Sequence, residues 1–275
     1  MRTLALVVLA AACGGGGSKP AKAPEPAPAP ASAPKVGTTV KVNGGRPANA
    51  SNAAPRAEAK VEAPAPAPPP LTAAPLTSAV AFLDRGHDKA GEVPGMPGWT
   101  LKRSDDKTVC GGTRLVLSRG KRKLDPDQAA LAKVYGLVFP ADLSFDPANK
   151  KATEASLKKF SEFVDTLQKT GADAKAHFEG VLTAGGVKND PAASTAVIAR
   201  LAQVHLQLAS TVARAPIPKD VRTGDAAAEK IDAYCSKLEE VALPLATRGR
   251  EALTACATSG APAGWYSAYC ATATE

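Results

Sequence analysis

Aromatic residues are scarce in this chain: its 275 residues include 12 Phe, Trp and Tyr, and all of these lie between Phe82 and Tyr269. The first 75 residues therefore lack the large side chains that build a core, and they also hold 14 of the 24 prolines. The rest of the chain is long enough for one domain of ordinary size. Because no run of 18 apolar residues occurs, we expect no transmembrane helix.

Sequence motifs of catalysis and cofactor binding are also missing. The chain has no Walker loop, nucleophile elbow, dinucleotide fingerprint or Cys-x-x-Cys pair. His177 and Glu179 match the His-x-Glu of deaminases, but the accompanying Pro-Cys-x-x-Cys is absent. His87 lies among acidic residues at a predicted helix end, and His205 borders an apolar stripe, so neither points to a metal. We therefore predict no cofactor, no metal and no catalytic residue, with an enzyme of unrecognised type as a remaining alternative.

The net charge of +8 is divided unevenly along the chain. Residues 14–75 carry seven bases and three acids, whereas residues 76–275 carry 26 bases and 23 acids. Neither part is basic enough to make nucleic acid the expected partner.

The N-terminus has the features of an export signal. Arg2 precedes a short apolar stretch, Leu4–Ala12, and Cys13 follows directly. The run Leu9–Cys13 (LAAAC) resembles the bacterial lipoprotein signal, although Leu9 stands one residue further from the cysteine than is usual in that family. The resemblance implies cleavage after residue 12 and diacylation of Cys13, with a membrane as partner. Since Gly14 is not Asp, it also implies sorting to the outer membrane, facing the periplasm or the cell surface.

Residues 14–75 are predicted to be a disordered tether. Ala-Pro repeats at Ala23–Pro30 and Ala63–Pro70 favour polyproline II, and too few apolar side chains are present to offset the entropy of ordering. With the lipidated cysteine, the tether spans residues 13–75. Extended, it would reach on the order of 100–200 Å.

Residues 76–275 predict an all-α domain. Asp125-Pro126 and Asp190-Pro191 each place an N-cap before a proline at the first helical position. Apolar residues then recur at helical spacing. Helices are expected at Thr77–Lys89, 126–138, Pro147–Thr170, Asp173–Ala184, 191–215, Asp225–Ala257 and Trp265–Cys270. Residues 100–124 are predicted to be irregular, with a possible short strand at Thr113–Ser118. The simplest architecture is an antiparallel helical bundle; the alternative is a tetratricopeptide-like helical array.

The four remaining cysteines are predicted to form two disulfides, as suits an exported domain. Cys235 and Cys256 are 21 residues apart on one predicted helix, about 30 Å along its axis, unless the helix folds back at Pro244. Pairing Cys235 with Cys270 would require a fully extended tail. The easier solution pairs Cys256 with Cys270 and Cys110 with Cys235. Trp265, Tyr266 and Tyr269 would then pack beside the Cys256–Cys270 bridge; the alternative is that these three residues form an exposed recognition cluster.

One dense basic run, Arg114, Arg119, Lys121, Arg122 and Lys123, is a candidate for anion contact. An ordinary solvated face is the alternative interpretation of the same residues.

The C-terminal part of the chain is similar to uncharacterised secreted helical proteins of myxobacterial type. The similarity lies in Val212–Asp225 (VARAPIPKDVRTGD), Ala228–Cys235 (AEKIDAYC) and the Cys256–Cys270 segment ending in WYSAYC. It covers about residues 76–275 and implies a scaffold without an assigned activity.

The sequence therefore supports two main hypotheses for the function. The first is a non-enzymatic, lipid-anchored envelope protein that presents a surface to another envelope protein. The second is a module that binds the cell wall or another polyanion through the basic run.

Overall fold

A computed structural model of the chain describes residues 75–86, 90–259 and 263–271. All of them belong to one compact unit. The predicted signal peptide, Cys13, His87 and the tether up to residue 74 lie outside the described residues, so those interpretations stay predictions.

The domain is mostly helical, as the sequence predicted. The described residues contain seven α-helices: Ala79–Gly86 (α1), Pro126–Tyr135 (α2), Lys150–Thr183 (α3), Gly185–Lys188 (α4), Pro191–Ala213 (α5), Ala227–Thr258 (α6) and Trp265–Ala271 (α7). Both predicted caps are present. Asp125 and Gln128 form a reciprocal capping box at α2, and the Asp190 carboxylate accepts from Ala192 N at 2.9 Å.

The prediction of an all-α domain was wrong in one respect, because a small sheet is also present. Its strands Gly91–Glu92 (β1), Thr100–Asp105 (β2) and Thr113–Ser118 (β3) are antiparallel in the order β1-β2-β3. The possible strand predicted at Thr113–Ser118 is therefore confirmed as β3. Its partner, β2, was not predicted from the sequence. The sequence of β2, TLKRSD, has only one fully buried residue, Leu101, so its alternation of polar and apolar residues is weak.

Helix α3 is continuous where a break was expected at Gly171. A Cβ atom at Gly171 would lie 2.8 Å from Leu208 Cδ1, so glycine there allows α5 to approach closely. The glycine thus reflects packing between helices and not a helix end.

Helix α5 is the central element of the domain. Its buried residues form more than a single apolar stripe and include four polar side chains that are each 5% exposed or less: Thr195, Arg200, Gln203 and Ser210. The start of α5 meets the end of α6, where Thr195 Oγ1 lies 2.7 Å from Ser259 Oγ, and its end meets the start of α6, where Tyr234 OH donates to Pro216 O. The two helices are therefore antiparallel.

The buried face of α6 consists largely of small residues. Leu238, Ala242, Ala246, Leu253 and Cys256 are buried, whereas Val241, Leu245 and Ala252 are only partly buried. Pro244 lies inside the single helix without ending it.

The described helices do not form a tetratricopeptide-like array, because α3 alone has 34 residues, the length of a whole two-helix repeat. None of the described helices is long and apolar enough to cross a membrane.

Candidate anion-binding surface

The basic run begins on β3 and continues into the loop after it. The β2–β3 hairpin is fastened to the connection between α5 and α6. The structure joins Cys110, in the short 3-10 turn Cys110–Gly112 before β3, to Cys235 on α6, with Cα atoms 5.4 Å apart. Main-chain contacts add to this bridge: Cys110 N donates to Ala215 O at 2.9 Å, and Ile217 N donates to Thr108 O at 2.8 Å. The hairpin is thus held against the helices at one end.

The second bridge joins Cys256 to Cys270, with Cα atoms 5.7 Å apart, and holds α7 against α6. Both bridges have the pairing that the helix geometry predicted. Tyr266 and Tyr269 are partly buried against the core, as expected, and Arg200 of α5 lies 5.1 Å from the centroid of the Tyr266 ring.

The hairpin has one face on the core and one face toward solvent. Leu101, Leu115 and Leu117 face the core. Lys102 and Val116 are opposite each other in the register and both are exposed, with Val116 48% exposed. The outer face therefore combines positive charge with one apolar side chain.

Arg114 does not join the other bases of the run. Its Nε donates to Asp106 Oδ2 at 2.5 Å, while Thr108 donates to the same carboxylate through N and Oγ1. These hydrogen bonds lower the pKa of Asp106 to about 2, and the one from the Thr108 hydroxyl has the largest effect. Arg114 is thus paired with a carboxylate at one end of β3, about 16 Å along the strand from Arg119.

Arg119 begins the loop between β3 and α2 and lies over Trp99. Its guanidinium carbon is 5.8 Å from the centroid of the indole ring, within the range of a cation–π contact. Trp99 is 3% exposed and precedes β2 directly. Sequence reasoning missed Trp99, although it is one of two tryptophans in the chain and ends the unusual run VPGMPGW.

The remaining bases, Lys121, Arg122 and Lys123, are exposed. In the described part of the chain no hydrogen bond or ion pair engages any of the three. Together with Arg119 they form what we call the basic loop, residues 119–123. The structure therefore brings four of the five candidate residues to one site and separates Arg114 from them.

The basic loop rests on a well-anchored turn, residues 93–99. Val93 N donates to Trp99 O at 2.8 Å, and Trp99 N donates to Met96 O at 2.9 Å. Arg200 Nη1 and Gln203 Nε2 both donate to Pro94 O, at 3.0 and 2.9 Å. Two buried polar side chains of the central helix thus fix the turn below the loop.

The histidines make no metal site among the described residues, where no group of three potential ligands was found. His177 Nε2 lies 2.7 Å from Asp127 Oδ1, which links α3 to α2. His205 is at the edge of the core between α3 and α6, and burial, followed by the charges of Arg248 and Lys175, lowers its pKa.

No protein-family model matches the chain, and no curated protein or solved structure shows significant similarity to it.

Proposed function

We propose that this is an exported, lipid-anchored protein of the cell envelope, and that its helical domain is a non-enzymatic module that binds an anionic envelope component. The basic loop is the binding surface. The observation that carries the proposal is the clustering of Arg119, Lys121, Arg122 and Lys123 on one exposed loop, where the last three make no ion pair within the described residues. Unpaired exposed cations attract anionic partners and raise their rate of encounter.

The rigid support of the loop favours binding over a merely solvated surface. The hairpin before the loop is cross-linked to α6, and the turn below it is fixed by Arg200 and Gln203. Because this support is fixed, binding orders fewer residues than it would on a loop whose support is also mobile.

The proposed anchor and tether give the surface its location. Acylation of Cys13 would hold the chain on the outer membrane, and the Pro-rich segment would let the domain reach the wall. The membrane partner, the outer-membrane location and the tether all rest on sequence resemblance and composition.

A protein partner in the envelope is the second candidate function. It is favoured by Val116, which is 48% exposed at the middle of the outer hairpin face beside Lys102. An acidic protein with an apolar contact residue would complement this face.

The first prediction concerns the basic loop. A triple variant, Lys121→Gln, Arg122→Gln and Lys123→Gln, should bind purified anionic wall polymer about tenfold more weakly at low salt, since each exposed charge contributes up to ~1 kcal/mol. Binding of the unaltered protein should weaken as salt rises. Co-sedimentation with the polymer at several salt concentrations measures both effects.

The matched control is a second triple variant, Lys150→Gln, Lys151→Gln and Lys169→Gln, on the exposed face of α3. It removes the same net charge at another place, so it should change binding by less than about twofold. Equal loss in both variants, or retention that salt does not affect, would contradict a role for the basic loop.

A further inference from the structure

We propose that the indole N–H of Trp99 and the basic loop together form a binding site for a phosphate group. This inference rests on the proposed function and names the chemistry of the anion. Trp99 supplies a neutral hydrogen-bond donor, and Arg119, Lys121, Arg122 and Lys123 supply the charge.

The first observation is an unsatisfied donor. Trp99 is 3% exposed, and its Nε1 atom is buried with no hydrogen-bond acceptor among the described residues. A buried indole N–H is usually paired, because leaving it without an acceptor costs about 1–3 kcal/mol. A donor left in this way is either a structural defect or part of a site that a ligand completes.

The second observation is the position of that donor. The Cδ1 atom of Trp99, which is bonded to Nε1, lies 3.0 Å from the point where a Cβ on Gly120 would stand. The polar edge of the indole ring therefore lies against the one residue of the basic loop that has no side chain. Gly120 also packs closely on the turn below, since its Cβ would lie 2.9 Å from Pro97 O.

The third observation is the charge around this edge. Arg119 lies over the indole ring, and Lys121, Arg122 and Lys123 follow Gly120 on the exposed side of the loop. A phosphate monoester carries about two negative charges and several acceptor oxygens, so it can pair with more than one of these cations while it accepts from the indole N–H. A carboxylate, with one charge, would use fewer of the donors present.

Because Nε1 is buried, a ligand reaches it only when residues 119–121 move outward. The turn that holds Trp99 stays fixed by Arg200 and Gln203 during this movement. Binding should therefore change the surroundings of the Trp99 ring without changing the helical fold.

The test uses the indole N–H as its own reporter. The full chain has two tryptophans, so Trp265→Phe leaves the Trp99 indole as the single one. With ¹⁵N-labelled tryptophan, this protein is titrated with inorganic phosphate, with water-soluble short-chain phosphatidic acid, and with chloride at equal ionic strength. We expect a saturable downfield shift of the indole proton with phosphate and none with chloride. Tighter binding of the phosphatidic acid would assign the phosphate to a lipid headgroup, and equal or weaker binding would assign it to a soluble phosphate.

Two variants complete the test. The Lys121→Gln, Arg122→Gln, Lys123→Gln variant should weaken phosphate binding at least about tenfold, and Trp99→Phe, which removes the indole donor, should do the same by calorimetry. If Trp99→Phe does not fold, as judged by circular dichroism, the indole titration alone decides.

The possible failures are distinguishable. If the indole proton does not respond to either phosphate source, or responds equally to chloride, the phosphate site is wrong. When wall-polymer binding persists in that case, the proposed function still stands. When polymer binding is also absent, the proposed function has failed with it.

Discussion

Single polar side chains hold distant parts of this domain together. Glu239 of α6 accepts from Ser78 Oγ at 2.7 Å and from Ala79 N at 2.5 Å, so it caps the start of α1 from another helix. Asp84 of α1 pairs with Arg103 of the hairpin and with Arg214, at 2.8 and 2.6 Å. Removing a carboxylate at either position would leave donors without their main acceptor, which costs more than an exposed ion pair would.

The charge state of His205 depends on the fold. It lies between α3 and α6, where it is largely buried, and Arg248 and Lys175 add positive charge near it while Glu179 partly opposes them. Its pKa is therefore lower in the folded chain than the ordinary 6.5.

The prediction for His205 is a loss of stability in acid. Below about pH 6.5 the unfolded chain binds a proton that the folded chain resists, so the free energy of unfolding should fall with pH down to the folded pKa. His205→Gln should remove this part of the pH dependence, because glutamine stays neutral. Urea unfolding of both proteins between pH 7.5 and 5 measures the difference; identical pH profiles would rule out a contribution from His205.

Close helix packing at the element scale depends on particular glycines. At Gly249 of α6, a Cβ would lie 2.6 Å from Leu206 Cγ of α5, closer than real Cβ atoms come to a neighbour. At Gly180 of α3, the same atom would meet nothing within 4 Å. Only the first glycine is needed for the contact between helices.

Alanine should therefore have opposite effects at these two positions. Gly249→Ala should destabilise the domain by about 1–2 kcal/mol, because the overpacking exceeds the gain in helix propensity. Gly180→Ala should stabilise it by about 0.5–1 kcal/mol through propensity alone. Chemical unfolding of both variants checks this, and stabilisation at both sites would mean that α5 and α6 are less tightly packed.

The two disulfides constrain the whole molecule to different degrees. Cys110 and Cys235 are 125 residues apart in sequence, whereas Cys256 and Cys270 are 14 apart. The longer bridge ties the β2–β3 hairpin to α6, and the shorter one closes only a local hairpin between α6 and α7. In the chain-entropy model, the longer loop restricts the unfolded state more.

Removing the long bridge should therefore cost more than removing the short one. The double variant Cys110→Ser, Cys235→Ser should lose about 2 kcal/mol more unfolding free energy than Cys256→Ser, Cys270→Ser, from the difference in loop length. Thermal and urea unfolding under non-reducing conditions would measure both. A larger loss from the short bridge would show that local packing around α7 outweighs the entropy of the long loop.

The sequence by itself determined the helical character of the domain, the caps at Asp125 and Asp190 and the pairs of cysteines brought together. These depend on local chemistry: side chains that cap nearby amides, apolar periodicity, and the length of a helix between two cysteines. Four of the five candidate anion-contact residues also lie at one site in the structure, because they fall within the five consecutive residues 119–123.

Only the tertiary structure decided the rest. Strand β2 is held by its pairing with β3, and the largely polar sequence TLKRSD alone favours a strand only weakly. Gly171 continues its helix because Leu208 comes from another one, and Arg114 leaves the basic surface because Asp106 is folded beside it. Trp99 became part of the candidate site for the same reason: residues distant in sequence determine what a side chain meets, and local periodicity carries no information about them.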